Sequence, residues 1–344
     1  MTVFEARGST SLYNLLRSRP DPRPFLLPAN VCPVVPLTFW RARRRFRLVD
    51  IGAGLGMDAD RCLTLVGRRP GRFSGLLYVR PYGAAGDGEA LFRAARMLQP
   101  DLLVIDDRCL GLPESDAARV AAAADVTLFS TGRAKYAELG FGGFAHFRPG
   151  VRYCRHHADD APVSPTRYAR LTRRYASGLE ARRPGRGGTG DWLPRTRPRL
   201  SWAAYSRRVA AARRTAQRHK RVLNAVYRDA LPPEIQLPPA FQHWRFNVLV
   251  PDPDRLAERL SAAGLFASRH YASLGGVFTR ERFPAAEALH GWMVNLFNDR
   301  HFDESMAGRT AEVITAHLLA AGPRQRSAAC RRVHELVAGL GGAR

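Results

Sequence analysis

The stretch DVTLFSTGRAKYAELGFGG (residues 125–143) joins an apolar run to a lysine and then to a cluster of glycines. The run VTLFST predicts a buried strand, because it is short, rich in β-branched and aromatic residues, and followed by a glycine. Lys135 and Lys220 are the only lysines among the 54 Lys plus Arg residues of the chain. A lysine that attaches covalently to a carbonyl group must be an amine with an adjustable pKa, which a guanidinium cannot supply. Lys135 is therefore a candidate catalytic residue, and a solvated surface lysine is the alternative.

The segments around this stretch alternate between strand-like and helix-like patterns. The strand-like runs are PFLLPA, RFRLVDI, SGLLYVR, DLLVIDD, VTLFST and FGGFAHF. The helix-like runs between them are SLYNLLRS, DADRCLTLV, GEALFRAARML and ESDAARVAAAA. This alternation predicts an α/β fold with a mostly parallel central sheet and helices on both of its faces. Ligands of such sheets bind at the carboxyl ends of the strands, where the polar residues of VIDD and LFST fall.

The second half of the chain predicts a smaller α+β domain. Residues 176–199 are rich in Gly, Pro and Arg without periodicity, which indicates a long loop or a linker. A long helical pattern follows and ends at Pro232 and Pro233. We therefore divide the chain into a large domain over residues 1–215 and a small domain over residues 216–344. Lys220 lies on the long helix with Arg218 and Arg221 near it, and we expect it to be a solvated cation.

Composition limits the class of protein. The 344 residues are 45% hydrophobic, and neither a membrane-length apolar run nor a secretory leader is visible, so we expect a cytoplasmic enzyme or binding protein. The five cysteines are scattered without CxxC spacing, which argues against a disulfide framework or a metal site. The net charge of +24 would favour nucleic acid as a partner, but the arginines are spread over the whole chain, and the clusters RARRRFR and LEARRPGRGGTG lack the regularly interleaved aromatic residues of a stacking platform. We therefore expect no nucleic-acid partner.

A glycine-rich stretch offers a different function. LVDIGAGLG (residues 48–56) is similar to the loop that binds S-adenosylmethionine in methyltransferases. That chemistry needs an acidic residue at the end of the following strand, to hold the ribose hydroxyls. The following strand, SGLLYVR, ends in Arg80 instead. A turn that needs glycine is the favoured interpretation, and the methyltransferase is kept as a weaker alternative.

Other residues suit a cofactor with a phosphate and a protonated ring nitrogen. LLVIDD ends a predicted strand with Asp106 and Asp107, and a buried carboxylate at this place can bind a pyridine nitrogen. Ser130 precedes Lys135 by five residues. The backbone N–H groups at a helix start suit a phosphate, and RGSTSLYNLL places three such residues there: Gly8, Ser9 and Thr10.

The order of these segments resembles the sugar aminotransferases of the DegT/DnrJ/StrS type, which are fold type I enzymes dependent on pyridoxal phosphate (PLP). FSTGRAKYAELGFGG is similar to the family's serine, lysine five residues later, and glycine pair seven and eight residues after the lysine. The resemblance implies that Lys135 attaches the cofactor, that Ser130 binds its phosphate, and that Asp107, not Asp106, holds the ring nitrogen. It assigns the phosphate-binding segment to Gly8, Ser9 and Thr10.

The resemblance also implies partners and a reaction. It implies a homodimer with active sites near the interface. It also implies transfer of an amino group from an amino acid, with glutamate as the expected donor, to a keto-sugar nucleotide in surface-polysaccharide or amino-sugar biosynthesis. Cys32 stands where many members stack an aromatic ring on the cofactor, and Leu110 stands where they carry His or Gln. These departures keep a second hypothesis open, in which the chain is a catalytically impaired homologue with a binding or regulatory role.

Overall fold

The computed structural model describes residues 1–85, 88–120, 122–156, 193 and 198–321. Its larger sheet has seven strands: β1 (Thr2–Glu5), β2 (Phe25–Pro28), β3 (Phe46–Val49), β4 (Gly75–Val79), β5 (Leu103–Asp107), β6 (Val126–Ser130) and β7 (Gly143–Phe147). The strand order is β1-β7-β6-β5-β4-β2-β3. Strands β2 to β6 are parallel, whereas β7 runs antiparallel to both of its neighbours. The prediction of a mostly parallel central sheet is confirmed.

The central strands are buried on both faces. Neighbouring residues in one strand belong to different hydrophobic clusters, as Leu76 and Leu77 do in β4 and Val104 and Ile105 do in β5. Because successive side chains of a strand point to opposite faces, each face of the sheet is covered by its own core. The helices that alternate with these strands are α1 (Gly8–Ser18), α2 (Val34–Arg41), α3 (Ala59–Arg68) and α4 (Glu89–Leu98).

A long helix connects the large sheet to a second, smaller sheet. This helix, α5 (Trp202–Ala230), begins at Ser201, whose side chain accepts a hydrogen bond from the Ala204 N–H. Tyr205 near its start packs with aromatic residues of the large sheet, whereas Tyr227 near its end packs in the core of the small sheet. One helix therefore contributes to both cores. The division at residue 215 falls within α5 and stays a prediction.

The small sheet is antiparallel, in the order β8-β10-β9. Its strands and the helices around it are β8 (Phe246–Leu249), α6 (Pro253–Ala262), β9 (Ala267–Ser268), α7 (Pro284–His290), β10 (Met293–Leu296) and α8 (Glu304–Ala320). An α+β character for this region agrees with the sequence prediction. None of the helices in the described part of the chain is long and apolar enough to cross a membrane.

Some local predictions were wrong. ESDAARVAAAA was predicted to be a helix, but its described residues form only a single 3-10 turn over Ala117–Arg119, which is exposed. Alanine favours helix, yet this segment offers no stripe of large apolar side chains, and most helical stability in proteins comes from packing such a stripe. The sequence analysis also did not identify β1, α2 or α7. The predicted linker over residues 176–199 lies outside the described residues, apart from residues 193, 198 and 199.

Candidate functional site

The candidate site lies at the carboxyl ends of two neighbouring parallel strands. β5 ends at Asp107 and β6 ends at Ser130, and the two strands pair in register, with Asp107 opposite Leu128. The start of α1 lies beside them: a Cβ atom placed on Gly8 would be 3.2 Å from Cys109 Sγ and 3.4 Å from Ser130 Cβ. The fold therefore brings together the aspartate, the serine and the helix start that the sequence singled out.

The two aspartates of β5 have different environments, because adjacent residues of a strand face opposite sides of the sheet. Asp106 is fully buried, and both of its oxygens accept hydrogen bonds from Arg80, each at 2.9 Å. Arg108 Nε donates a further bond to it at 2.7 Å. Asp106 is thus neutralised by two guanidinium groups and has a structural role.

Asp107 is buried but takes part in no ion pair between described residues. Its Oδ1 accepts a hydrogen bond from the Cys109 N–H at 2.9 Å. Burial raises the pKa of Asp107, and the backbone and side chain of Cys109, together with the nearby Lys135 ammonium, partly offset that rise. A buried carboxylate without a paired cation can be stabilised by a ligand that supplies a positive charge.

Lys135 is half-buried in the loop that follows β6. Its neighbour Ala134 has a φ of 57°, in the left-handed region. The Ala134 N–H donates to Glu138 Oε2 at 2.8 Å, and the Ala134 carbonyl accepts from Trp244 Nε1 at 2.7 Å. Burial raises the pKa of Cys32, and the Lys135 ammonium opposes that rise, so Lys135, Asp107 and Cys32 lie within electrostatic reach of one another.

The start of α1 has the character of an anion site. The residue that caps it, Arg7, is extended and makes no capping hydrogen bond with its side chain. Thr10 Oγ1 in the first turn is buried and has no hydrogen-bond partner among the described residues. A buried hydroxyl of this kind is costly unless something binds it. Ser9, between Gly8 and Thr10, is half-buried.

Arg7 is a functional candidate that the sequence analysis missed. Its Nη1 donates to the Gly140 carbonyl at 3.4 Å and would be 3.1 Å from a Cβ atom on Gly132. The same Cβ atom would be 3.6 Å from Ser130 Oγ, so Arg7 brings a positive charge close to the serine. The only signal in the sequence is its position directly before Gly8.

The glycine pair after Lys135 is required by close packing. A Cβ atom on Gly143 would lie 2.0 Å from the Gly8 nitrogen, and Gly142 has a φ of 92° with Tyr205 Oη 2.5 Å from its Cβ position. The absence of side chains lets β7 approach the start of α1.

We expect Gly143→Ala to destabilise the protein by about 3 kcal/mol or more, because the methyl group would overlap backbone that cannot move aside. Chemical denaturation of the cofactor-free protein measures this loss. Gly54→Ala is the control, since nothing lies within 4 Å of its Cβ position and the change should be nearly neutral. Equal stability of the two variants would contradict the close approach.

The glycine loop over residues 48–56 has a different role. It follows β3, which is one of the two edge strands of the large sheet, whereas doubly wound folds bind nucleotides at the point where the strand order reverses. Asp50 at its start accepts hydrogen bonds from the Ala285 and Ala286 N–H groups at 3.1 and 3.0 Å. The Leu55 carbonyl accepts one from Asn30 Nδ2. The loop therefore caps α7, and this geometry gives the methyltransferase alternative no support.

The expectation that Lys220 is a solvated cation is wrong. Its side chain is 3% exposed, and its Nζ donates to the Trp244 carbonyl at 2.8 Å and to Asn298 Oδ1 at 2.7 Å. Burial lowers its pKa to about 7. Lys220 lies on the same buried face of α5 as Leu223 and Tyr227, three and seven residues later. This helical spacing indicates a buried position, but the charge of lysine favoured the opposite interpretation.

Two positions named in the sequence analysis retain their apolar character. Leu110 is 5% exposed and belongs to the core of the large domain. Cys32 lies just before α2, and the rise in its thiol pKa keeps it protonated. In the described part of the chain, no group of three or more His, Cys, Asp or Glu side chains could hold a metal ion.

Solved structures of low sequence identity share this fold, although no model of a protein family and no curated protein sequence matches the chain. The sugar aminotransferase CalS13 from Micromonospora echinospora is 20% identical, with a TM-score of 0.61 over 92% of this chain and 87% of that one. A DegT DnrJ EryC1 StrS aminotransferase from Brucella abortus is 16% identical, with a TM-score of 0.64 over 92% and 85%. Spr1654 from Streptococcus pneumoniae, in its PLP form, is 15% identical, with a TM-score of 0.65 over 93% and 88%.

These similarities identify the fold. The chain has the fold type I architecture of the DegT/DnrJ/EryC1/StrS aminotransferases, with a seven-stranded, mainly parallel sheet. The resemblance predicted from the sequence is thereby confirmed at the level of the fold.

Proposed function

We propose that this protein is a PLP-dependent aminotransferase that acts on a keto-sugar. The observation that carries the proposal is the buried Asp107 carboxylate, which pairs with no cation among the described residues and lies within electrostatic reach of Lys135. A protonated pyridine ring bound between these two residues would supply the missing positive charge. Spr1654, which shares the fold, has a PLP form.

The residues present fit this cofactor. The start of α1 and the unpartnered Thr10 hydroxyl offer donors to a phosphate, and Ser130 and Arg7 lie beside them. We assign Asp107 to the ring nitrogen, on which its carboxylate would hold a proton. Lys135 has the only amine that the sequence places in this loop.

When bound, PLP supplies an aldehyde carbon for covalent attachment and a ring that accepts an electron pair. The Lys135 amine would hold the cofactor by attachment to that carbon. Once free, the same amine would take the proton from the amino-bearing carbon of the substrate and later return it, acting as base and then as acid. The Asp107 carboxylate would hold a proton on the ring nitrogen. The donor amino acid leaves as a keto acid, and the keto-sugar leaves as an amino-sugar.

The basic test uses the purified protein mixed with PLP. We expect a visible absorbance band that borohydride bleaches, and a peptide that carries the reduced cofactor on Lys135. Glutamate should then discharge the band, and a panel of keto-sugar nucleotides should restore it. No band with excess cofactor would contradict the proposal. A band that glutamate does not discharge would instead support the impaired homologue with a binding role.

Thr10→Val is expected to weaken PLP binding about tenfold, because a hydrogen bond to a charged phosphate is lost. The cofactor-free protein should be no less stable, since the substitution removes a buried hydroxyl without a partner. Fluorescence titration and thermal unfolding measure the two effects. Thr38→Val is the control: its hydroxyl bonds to the Val34 carbonyl within α2, so some stability should be lost while affinity stays the same. A loss of stability without a loss of affinity in Thr10→Val would contradict the assignment.

The partners and location belong to the same proposal. The resemblance supports a nucleotide-linked sugar, glutamate as donor, amino-sugar or surface-polysaccharide biosynthesis, a homodimer with active sites near the interface, and a cytoplasmic location. Sedimentation equilibrium tests the dimer, and the substrate panel tests the nucleotide.

A further inference from the structure

The loop that carries Lys135 is held from outside by groups beyond residue 200. We call residues 133–139 the lysine loop. Trp244 Nε1 donates to the Ala134 carbonyl at 2.7 Å, and Arg300 Nη2 donates to Glu138 Oε1 at 3.0 Å. These contacts fix the loop on both sides of Lys135.

Lys220 is the group that connects these contacts to α5. Its Nζ donates to the Trp244 carbonyl at 2.8 Å, so it binds the same residue whose indole holds Ala134. Its Nζ also lies 5.3 Å from the centre of the Tyr136 ring, which follows Lys135 directly. The Lys220 Nζ donates a second hydrogen bond, to Asn298 Oδ1, at 2.7 Å. The amine of Lys220 thus links α5, which carries it, and Asn298 of the small domain to residues that neighbour Lys135.

Burial of this amine has a cost that a packing role alone does not explain. Asp299 and Glu138 are the carboxylates whose charges act on Lys220, but neither forms a direct ion pair with it; Asp299 pairs with Arg245 and Glu138 with Arg300. The Arg245 charge and burial both disfavour the ammonium. A leucine or methionine would fill the space without that cost. We therefore attribute the presence of a buried amine at this position to its hydrogen bonds and to its contact with the Tyr136 ring.

The backbone next to Lys135 needs such support. Ala134 has a positive φ, which is unfavourable for a residue with a side chain and persists only where surrounding contacts enforce it. The indole of Trp244 and the carboxylate of Glu138 bind the carbonyl and the N–H of this residue. If Trp244 shifts, the left-handed turn loses one of its two restraints.

We propose that Lys220 is a positioning residue for Lys135: through Trp244 and Tyr136, its buried amine holds the lysine loop in the conformation that presents Lys135 to the cofactor. The proposal deepens the proposed function and rests on it for the role of Lys135. The hydrogen bonds that define it join residues of this chain alone, so they can be tested without added cofactor.

Hydrogen exchange tests the proposal without any cofactor. In Lys220→Met, which keeps an unbranched side chain, we expect the amides of residues 133–139 to exchange about 10- to 100-fold faster, because the hydrogen bond from the buried amine to the Trp244 carbonyl and its contact with the Tyr136 ring are lost. Lys220→Arg keeps a cation and donors and should restore part of this protection. Tyr227→Phe, which removes a buried hydrogen bond to the Phe297 carbonyl from the same helix, should leave the lysine loop unchanged.

Trp244→Phe provides a second route to the same loop. It removes the indole N–H from the Ala134 carbonyl but keeps an aromatic ring. Combined with Lys220→Met, its effect on loop exchange should be less than additive, because both substitutions break one linkage. Additive effects, or unchanged loop exchange in Lys220→Met, would overturn the proposal.

The rate of covalent attachment of PLP, followed by its absorbance, relates the loop to the chemistry. Lys220→Met should attach PLP about tenfold more slowly or worse, while Tyr227→Phe attaches it at the wild-type rate. If the wild-type protein never attaches PLP, the proposed function fails, but loop exchange still tests the positioning role. If Lys220→Met attaches PLP at the wild-type rate, the positioning role fails and the proposed function stands.

Discussion

Lys135→Arg should remove the borohydride-sensitive absorbance band and lower turnover by a factor on the order of 10⁴ or more. The substitution keeps the positive charge, and the side chain is half-buried in a loop, so the fold should persist. A guanidinium stays protonated, cannot attach to the aldehyde, and cannot shuttle the proton. Single-turnover kinetics with glutamate and mass spectrometry after borohydride reduction measure both losses.

A matched control tests whether position matters as well as chemistry. The double variant Arg133→Lys with Lys135→Arg keeps the composition of the loop but moves its amine to an exposed position. We expect it to be as inactive as Lys135→Arg alone. Recovery of the band in the double variant, or turnover by Lys135→Arg, would show that the amine of Lys135 is not the attachment point.

Asp106→Asn and Asp107→Asn should have opposite effects, although the residues are adjacent. Asp106→Asn should lower the free energy of unfolding by about 3 to 5 kcal/mol, because the buried ion pair between this carboxylate and Arg80 is broken. Asp107→Asn should cost less than about 1 kcal/mol, because the carboxylate forms no ion pair with any described residue and asparagine still accepts the Cys109 N–H. Denaturation of the cofactor-free variants measures this contrast.

The rate of amino transfer should show the opposite contrast, with the larger loss in Asp107→Asn. Asp107→Asn should lower the rate of amino transfer by a factor on the order of 10² to 10⁴, since the ring nitrogen loses the group that keeps it protonated. Asp106→Asn, assayed at a temperature where it is folded, should keep most of its rate. Similar rates for both variants would show that Asp107 does not contact the ring.

The order of chemical groups along the chain could be read from the sequence. Short apolar runs separated by helical patterns predict parallel strands, and polar residues at the ends of DLLVIDD and VTLFST lie at one edge of the sheet because parallel strands all end there. The rarity of lysine drew attention to Lys135 for a chemical reason that needs no structure. These features are local, since periodicity and strand ends depend on neighbouring residues.

The tertiary structure decided which of these groups are paired within the protein and which are available to bind a ligand. Asp106 and Asp107 are the same residue type at adjacent positions, and the contrast between their environments depends on Arg80, which directly follows the neighbouring strand β4. Arg7 and Thr10 gain meaning only when α1 begins beside the end of β6. Lys220 was misjudged because the charge of a side chain predicts exposure on average, whereas burial depends on acceptors supplied by Trp244 and Asn298, residues distant in the chain. The sequence by itself determined which chemical groups are present and at which strand ends they lie. Long-range packing, which no local pattern encodes, determined the hydrogen-bond and ion-pair partners of each group.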